Sequence, residues 1–414
     1  MALAGALACQ RDSYLKELTT VVKSCEPTEL DVISGGKKAK VNCYATLLED
    51  TILFPEGGGQ PGDHGKVGDA EVLQVSRRGG EAVHYLPVPL TAGSQVELQV
   101  DWQRRFDHMQ QHSGQHLVTA IADQLFGYAT VSWNLGEKIS TIEITTPSIS
   151  AEELQQIEDT VNQKIRDHLP MYPTLYHDKS DPELLKVRTR GLPDDHVGPV
   201  RVVTIEGIET NMCCGTHVAN LSHLQAIKLL GVEKGKKGKT LNLVFVAGGR
   251  LLNYLAGCYS NEKALTQLLN GPPSEHAGLV AKLQASHKAA QKGCTNMLRD
   301  LASLEAERYK NNPDKDPLFV LHRPEGDSEF MNQVANEIGD EGEVKFLTTG
   351  DDKGVGMFLL CGPEKLITDV GPKVLELLEG RGAGKRGRFQ GKATKLSRRP
   401  QVIQLLREAM QQPS

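Results

Sequence analysis

Two ligand-bearing half-motifs, far apart in the chain, limit how it can fold more than any other feature. His112 and His116 stand four residues apart in Gln111-His112-Ser113-Gly114-Gln115-His116-Leu117. Cys213 and His217 have the same spacing in Asn211-Met212-Cys213-Cys214-Gly215-Thr216-His217-Val218. One thiolate and three imidazoles make a set suited to tetrahedral Zn²⁺. A fold that uses them must bring both segments to one point. A helix puts residues four apart on one face, so His112 and His116 can share an ion. Cys213 to His217 reads as a tight turn that points both groups inward. His108 extends the histidine stripe by one turn and is expected beside the site or at the surface, not as a ligand. The metalloprotease helix requires Glu directly after the first His as general base, and this chain has Ser113 there, which excludes a zinc peptidase.

A chain of 414 residues implies roughly two to four domains. Its 39% hydrophobic and 24% charged residues are those of an ordinary soluble globular protein. A net charge of −5 excludes a protein that coats nucleic acid wholesale, so any RNA contact must be a local patch. The eight cysteines follow no regular framework, which points to reduced thiols and a cytoplasmic location. The opening stretch Met1 to Cys9 is mildly apolar but has no basic start, so it does not read as a signal peptide. No run reaches the ~20 apolar residues of a membrane span.

Glycine clusters at Gly35-Gly36, Gly57-Gly58-Gly59, Gly62, Gly65 and Gly79-Gly80 punctuate a β-rich stretch, with strands expected at Val96–Val100 and from Ala70 to Val75. Many short strands with glycine turns argue for a small barrel or sandwich. A helix is expected from an Asp107 N-cap, boxed by Gln110, to about Phe126, with Leu117, Ile121 and Leu125 as its core stripe. A second helix starts at Ser150 with Glu153 and carries Leu154, Ile157, Val161 and Ile165. Strands follow at Val200–Ile205 and Leu241–Val246. After Asn270-Gly-Pro-Pro273 one long helical pattern runs over 274–311, with Val280, Leu283, Ala290, Cys294, Met297, Leu301 and Leu304 on a coiled-coil-like seam that His287 interrupts. The last part reads as a small α/β unit with strands at Leu318–His322 and Met357–Cys361 around a helix from Ser328 to Ile338. The expected fold class is therefore α+β multidomain. It comprises a β-barrel over 1–104, an α+β zinc-binding domain over 105–270, a helical linker over 271–315 and a C-terminal α/β domain over 316–414. The chain is expected to be a monomer, or a homodimer through the helical linker.

Between Arg381 and Arg399 there are basic residues and no acidic ones, interleaved at first with Gly and Ala. Arg381, Lys385, Arg386, Arg388 and Lys392 are the candidate RNA contacts, because such a stretch can meet phosphates with side chains and backbone N–H groups. Lys234-Gly-Lys236-Lys237-Gly-Lys239 reads as a hairpin turn that could also meet RNA.

His112-x-x-x-His116-Leu117 with Cys213-x-Gly215-Thr216-His217-Val218 resembles the editing domain of alanyl-tRNA synthetases, shared by the stand-alone AlaX-type alanyl-tRNA editing proteins and, in similar form, by threonyl-tRNA synthetase. Trp133-Asn-Leu-Gly136-Glu137, Arg190-Gly-Leu-Pro193 and Arg201-Val-Val-Thr-Ile-Glu-Gly207 agree, and Phe54-Pro-Glu-Gly57-Gly58-Gly59-Gln60-Pro-Gly62-Asp63 resembles the family's glycine-rich motif. The whole chain resembles the long AlaX class, and its last two parts resemble the linker and tRNA-docking C-terminal domain of alanyl-tRNA synthetase. No synthetase catalytic core precedes the barrel. The resemblance implies one Zn²⁺ on His112, His116, Cys213 and His217. It also implies hydrolysis in trans of tRNA(Ala) mischarged with Ser or Gly, without aminoacylation. Cys214 departs from the family's Cys-Gly-Gly-Thr-His, and Glu209-Thr210 stand where relatives often have an Asp.

An editing site must select Ser over Ala through the extra hydroxyl, because a size filter cannot. Ser113, where relatives often have Thr, is the candidate for that contact and for catalysis, with Gln115 and His112. Gly57, Gly58, Gly59 and Gln60 are candidate substrate contacts, since glycines let backbone approach RNA closely. Four protein ligands close an ion to water activation unless one leaves, so the metal is expected to position the substrate terminus. The rival reading is a zinc-stabilised tRNA-binding module without hydrolysis.

Overall fold

The computed structural model describes all residues except 1–2, 35–36, 186, 188–197, 236–237, 340–341, 353 and 412–414. Gly35-Gly36, Arg190-Gly-Leu-Pro193, Lys236 and Lys237 therefore lie outside the described residues. The chain divides into two compact units, Met1–Lys263 and Ala264–Ser414. Both mix helices with sheets, so the chain is α+β and multidomain, as its patterns indicate.

The first unit opens with α1 (Ala8–Arg11), β1 (Glu17–Ser34), β2 (Lys37–Leu48), β3 (Gly65–Val67), β4 (Ala70–Glu71), β5 (Gln74–Arg78), β6 (Glu81–Leu86) and β7 (Gln95–Val100). The strands form one antiparallel sheet, ordered β4-β3-β7-β1-β2-β6-β5. Long β1 pairs with β7 through Glu17–Val21 and with β2 from Val22 onward, with a bulge between Val22 and Ser24 that adds twist. Val22, Leu53, Val67, Val75, Leu86 and Leu98 form its core. The single strand expected from Ala70 to Val75 is instead split between opposite margins of the sheet. Val72 N–H bonds to Gly65 O while Leu73 N–H bonds to Tyr85 O, so the chain passes from one margin to the other between neighbouring residues.

Next come α2 (Trp102–Phe126), β8 (Thr130–Asn134), β9 (Ser140–Ile144), α3 (Ala151–Arg166), β10 (Met171–Tyr176), α4 (Pro182–Leu185), β11 (Val200–Ile205), β12 (Glu209–Met212), β13 (Ile227–Lys234) and β14 (Leu241–Ala247). They build the antiparallel sheets β13-β14-β9-β8 and β10-β11-β12. Helix α2 starts earlier than Asp107. Asp101, at the end of β7, accepts from Arg104 N–H and is the true N-cap. Asp107 lies inside the helix and pairs with Arg250 through two 2.8 Å bonds. Every residue from His108 to Ala122 is buried, so α2 is the axis of this core rather than a one-faced helix. Gly114 makes that possible, because a Cβ there would press on Ile227, Ala247 and Phe245 at 3.2–3.4 Å. Leu117 and Ile121 are core residues, whereas Leu125 is 37% exposed in the last turn. The Ser150–Glu153 capping box forms, and Ile157, Val161 and Ile165 of α3 are buried. The Lys234–Lys239 segment does join a hairpin, with Lys234 paired to Leu241. Helix α5 (Gly249–Leu269) spans the division between the units.

The second unit holds α6 (His276–Lys310), β15 (Leu318–Arg323), α7 (Ser328–Ile338), β16 (Val344–Thr349), β17 (Gly356–Cys361), α8 (Glu364–Leu377), β18 (Arg381–Lys385), β19 (Arg388–Ala393) and α9 (Arg399–Gln411). Its sheet runs β15-β16-β17-β19-β18, with only the first pair parallel. The long helix is present, but Leu283, Met297 and Leu304 of its seam are 63%, 64% and 62% exposed. Burial comes instead from Ala302, Ala306 and Tyr309, in one core with Phe330, Met331 and Val334 of α7. The basic stretch is an ordered β18–β19 hairpin. No helix among the described residues is long and apolar enough to cross a membrane.

Candidate metal centre and its cleft

The core helix and one turn bring the four candidate ligands together. His112 and His116 lie one turn apart on buried α2, while Cys213 and His217 follow the end of β12. The ligand atoms of all four lie within 4.8 Å of one another, and among the described residues this is the one group of such side chains placed to hold an ion. Cys213 Sγ is 3.4 Å from His112 Nε2 and 3.2 Å from His217 Nε2. Tetrahedral bonds of ~2.0–2.3 Å require ligand separations of ~3.3–3.7 Å, close to the two separations from Cys213 Sγ, and the wider bound of 4.8 Å for the group calls for a small inward shift on binding an ion. Gly215 lets the turn close onto the helix, since a Cβ there would fall 2.2 Å from the His112 ring.

Each histidine has its Nδ1 held from outside. His112 Nδ1 is 2.9 Å from Gln60 Oε1, which also accepts from Thr216 N–H at 3.0 Å, while Gln60 Nε2 donates to Thr216 Oγ1 at 2.8 Å. His112 Nδ1 is thus the donor and Nε2 is left to ligate. His217 Nδ1 is 3.1 Å from Ser113 Oγ, which accepts from Val218 N–H at 3.0 Å. His116 Nδ1 faces Glu209 Oε2 at 3.8 Å. Gln60 and Ser113 were expected to touch substrate. Both are fully buried, neither lines the cleft, and they meet Nδ1 of His112 and of His217.

The electrostatics favour a cation. Burial pushes the Cys213 thiol up, but His112, His217 and His116 outweigh it and hold it well below the ordinary range. Burial lowers the pKa of His112 and His217, which keeps them neutral. For His116 burial acts downward too, but Cys213 and Glu209 carry it up to about 9. Cys214 is pushed up to about 11 by burial and by Cys213, so it stays a thiol.

His112, His116 and Cys213 line the floor of a cleft of about 440 Å³, with His217 behind them. Gln115, Thr119, Thr130, Ser132 and Asn211 give it polar walls, and Cys214 lines it without joining the quartet. Gln115 Nε2 donates to Thr119 Oγ1 at 2.8 Å, and Thr130 and Thr119 hydroxyls are 3.1 Å apart. Of the glycine-rich residues, Gly58 and Gly59 form the rim and Gly57 stands behind them, 3.6 Å from Cys214 Sγ when given a Cβ. Gly58 and Gly59 have φ of 63° and 86°, a left-handed backbone that suits glycine. Trp133 Nε1 donates to Gly58 O at 3.1 Å, and its ring lies 4.7 Å from that of His112. The buried Arg105–Asp63 pair ties the end of this loop to α2. Thr119, Thr130 and Ser132 carry no signal of their own in the sequence, and Glu209 stands out there only as a departure from the family pattern. Thr119 could have been found, because it lies two turns beyond His112 on the same helix face. In the second unit, Arg381, Lys385, Arg386 and Lys392 are exposed on the β18–β19 hairpin, while Arg388 turns toward Asn332 and Asn336.

Residues 200–241, which span β11 to the start of β14 and include Cys213 and His217, match the family described as threonyl and alanyl tRNA synthetase second additional domain. Over 404 residues the chain is 56% identical to the alanyl-tRNA editing protein Aarsd1 of Mus musculus, covering 97% of this chain and 98% of that one. It is 30% identical to the putative alanyl-tRNA editing protein alaX of Saccharomyces cerevisiae, with 95% and 94% covered. It is also 27% identical to an alanine–tRNA ligase of Natronomonas pharaonis, covering 86% of this chain but 38% of that enzyme.

Proposed function

This chain belongs to the alanyl-tRNA editing proteins, and from that premise we propose that it is a Zn²⁺-dependent deacylase of tRNA(Ala) mischarged with serine or glycine. The observation that carries the reading is the quartet of ligand atoms within 4.8 Å, three of whose residues line a cleft walled by hydroxyls and amides. His112, His116, Cys213 and His217 would hold the ion, which supplies Lewis-acid charge at the cleft floor when bound. Four protein ligands would close the ion to water, so it would act through its charge, and the attacking water would be positioned by cleft side chains, with Gln115 as the first candidate. The hydroxyls of Thr119, Thr130 and Ser132 line the cleft, and a serine side chain would exchange hydrogen bonds with them that an alanyl group cannot make. The glycine rim admits the terminal ribose closely. Arg381, Lys385, Arg386 and Lys392 would meet tRNA phosphates.

The same proposal includes a cytoplasmic location and the division into a barrel (1–104), editing domain (105–270), linker (271–315) and docking domain (316–414). The margins of the first sheet converging on Val72 and Leu73 support the barrel. In a deacylation time course the purified protein should release serine from Ser-tRNA(Ala) and leave Ala-tRNA(Ala) intact. Retention of tRNA without ester loss would replace the enzyme with a binding module.

A further inference from the structure

A second cleft, of about 960 Å³, opens in the first unit and shares Gly59 with the metal cleft. Helix α2 lines both, with His112 in one and His108, a turn earlier, in the other. His108 is 4% exposed, and its Nδ1 is buried with no hydrogen-bond partner. A buried orphan nitrogen is costly to keep, and nothing in the metal centre uses it. Burial, with Arg104 and Arg250 nearby, pushes its pKa down to about 3, so the ring is neutral and can pair with a base edge or ribose hydroxyl. The same cleft has an aromatic wall, the stacked rings of Trp102 and Phe106 at 5.5 Å and 29°. It also holds Arg104, whose guanidinium makes only long contacts, 3.3 and 3.4 Å, to Gly62 O. Of the acidic groups on its wall, Asp107 is neutralised by Arg250, Asp101 is occupied as the cap of α2, and exposed Glu137 stands at the edge. A neutral polar group, aromatic faces and a cation together are what unpaired RNA requires.

We propose that this second cleft receives the unpaired nucleotides immediately 5′ to the aminoacylated terminal adenosine, against Trp102 and Phe106 with His108 as polar partner. The inference rests on the deacylase reading, which places that adenosine in the adjoining metal cleft. His108 is then a positioning residue, whose ring turns to bring its buried Nδ1 to the bound nucleotide.

The test uses the full zinc-loaded chain, the His108→Leu variant and two substrates, Ser-tRNA(Ala) and 3′-O-seryl-adenosine, which lacks the preceding nucleotides. His108→Leu should lower kcat/KM on Ser-tRNA(Ala) about tenfold, mostly through KM, with seryl-adenosine hydrolysis unchanged. Its Tm should not fall, because the substitution removes an unpaired polar group from the interior. Equal losses on both substrates, no loss on tRNA, or a lower Tm would overturn the proposal. Binding is read separately from chemistry. The chain has two tryptophans, so Trp133→Phe leaves Trp102 as the sole emitter. Saturable quenching by the dinucleotide CpC, weakened about tenfold by adding His108→Leu, supports the cleft even if wild type cleaves neither ester. That result would fault the deacylase reading alone. Absence of quenching would overturn the cleft.

Discussion

Substituting Ser113→Ala separates two roles for one hydroxyl. In the structure Ser113 Oγ is fully buried and bonds Val218 N–H at 3.0 Å and His217 Nδ1 at 3.1 Å. Alanine leaves both groups buried without that partner. Each such orphan costs ~1–3 kcal/mol, so the pair costs ~2–6 kcal/mol. For a unit of this size, at ~2–4 °C per kcal/mol, that lowers Tm by roughly 4–24 °C. Loss of a partner that orients a ligating histidine weakens metal binding by about 10–100-fold. Competition with a chromophoric chelator reads the affinity, and thermal unfolding reads the stability. The ratio of Ser-tRNA(Ala) to Gly-tRNA(Ala) hydrolysis, measured at saturating zinc, should stay near its wild-type value because the hydroxyl does not reach the cleft. Normal zinc affinity with a collapsed Ser/Gly ratio would refute this reasoning and return Ser113 to the substrate.

Other consequences follow from the same structure. Arg105 and Asp63 form an ion pair with side chains 0% and 1% exposed, so Arg105→Met strands a buried carboxylate and should cost ~3–5 kcal/mol in urea unfolding. In the metal-free site His116 keeps its proton up to about pH 9, against an ordinary value of 6.5. Its protonation therefore stabilises the metal-free fold fully below pH 6.5, and that contribution is lost as pH rises through 9. A metal must displace this proton, so zinc affinity should climb about tenfold per pH unit from 6.5 to 9 and then level off, with about one proton released near pH 7.5 by calorimetry. Combining Arg381→Glu with Lys385→Glu on the exposed hairpin should raise KM for charged tRNA and reduce the slope of log affinity against log salt by about 1–2, while seryl-adenosine turnover holds.

The clustering of His112, His116, Cys213 and His217 was legible because ligand chemistry and four-residue spacing are local. The Ser150 cap, the 200–205 strand and the long helix were legible for a similar reason, since each is written in neighbouring residues. What failed depended on partners distant in sequence. Asp107 looked like a cap, but Arg250 claims it and Asp101 starts the helix. Ser113 follows His112 on the helix, but whether its side chain faces the cleft or the rear of the quartet depends on helix rotation, which the local sequence does not carry. That rotation is set by the packing of α2 against β13 and β14, as at Gly114. Cys214, the visible departure from the family pattern, lines the cleft beside the glycine loop and leaves the quartet intact.

The central claim is that these four side chains hold the ion on which ester hydrolysis depends. Its most direct test is one Ser-tRNA(Ala) time course with zinc content measured in parallel, comparing wild type, chelator-stripped and zinc-restored protein, and the His112→Ala, Cys213→Ala double variant. Wild type should carry one zinc and release serine, the stripped protein should stop and recover with zinc, and the double variant should bind no zinc and stay inactive. Undiminished serine release by the double variant would contradict the account.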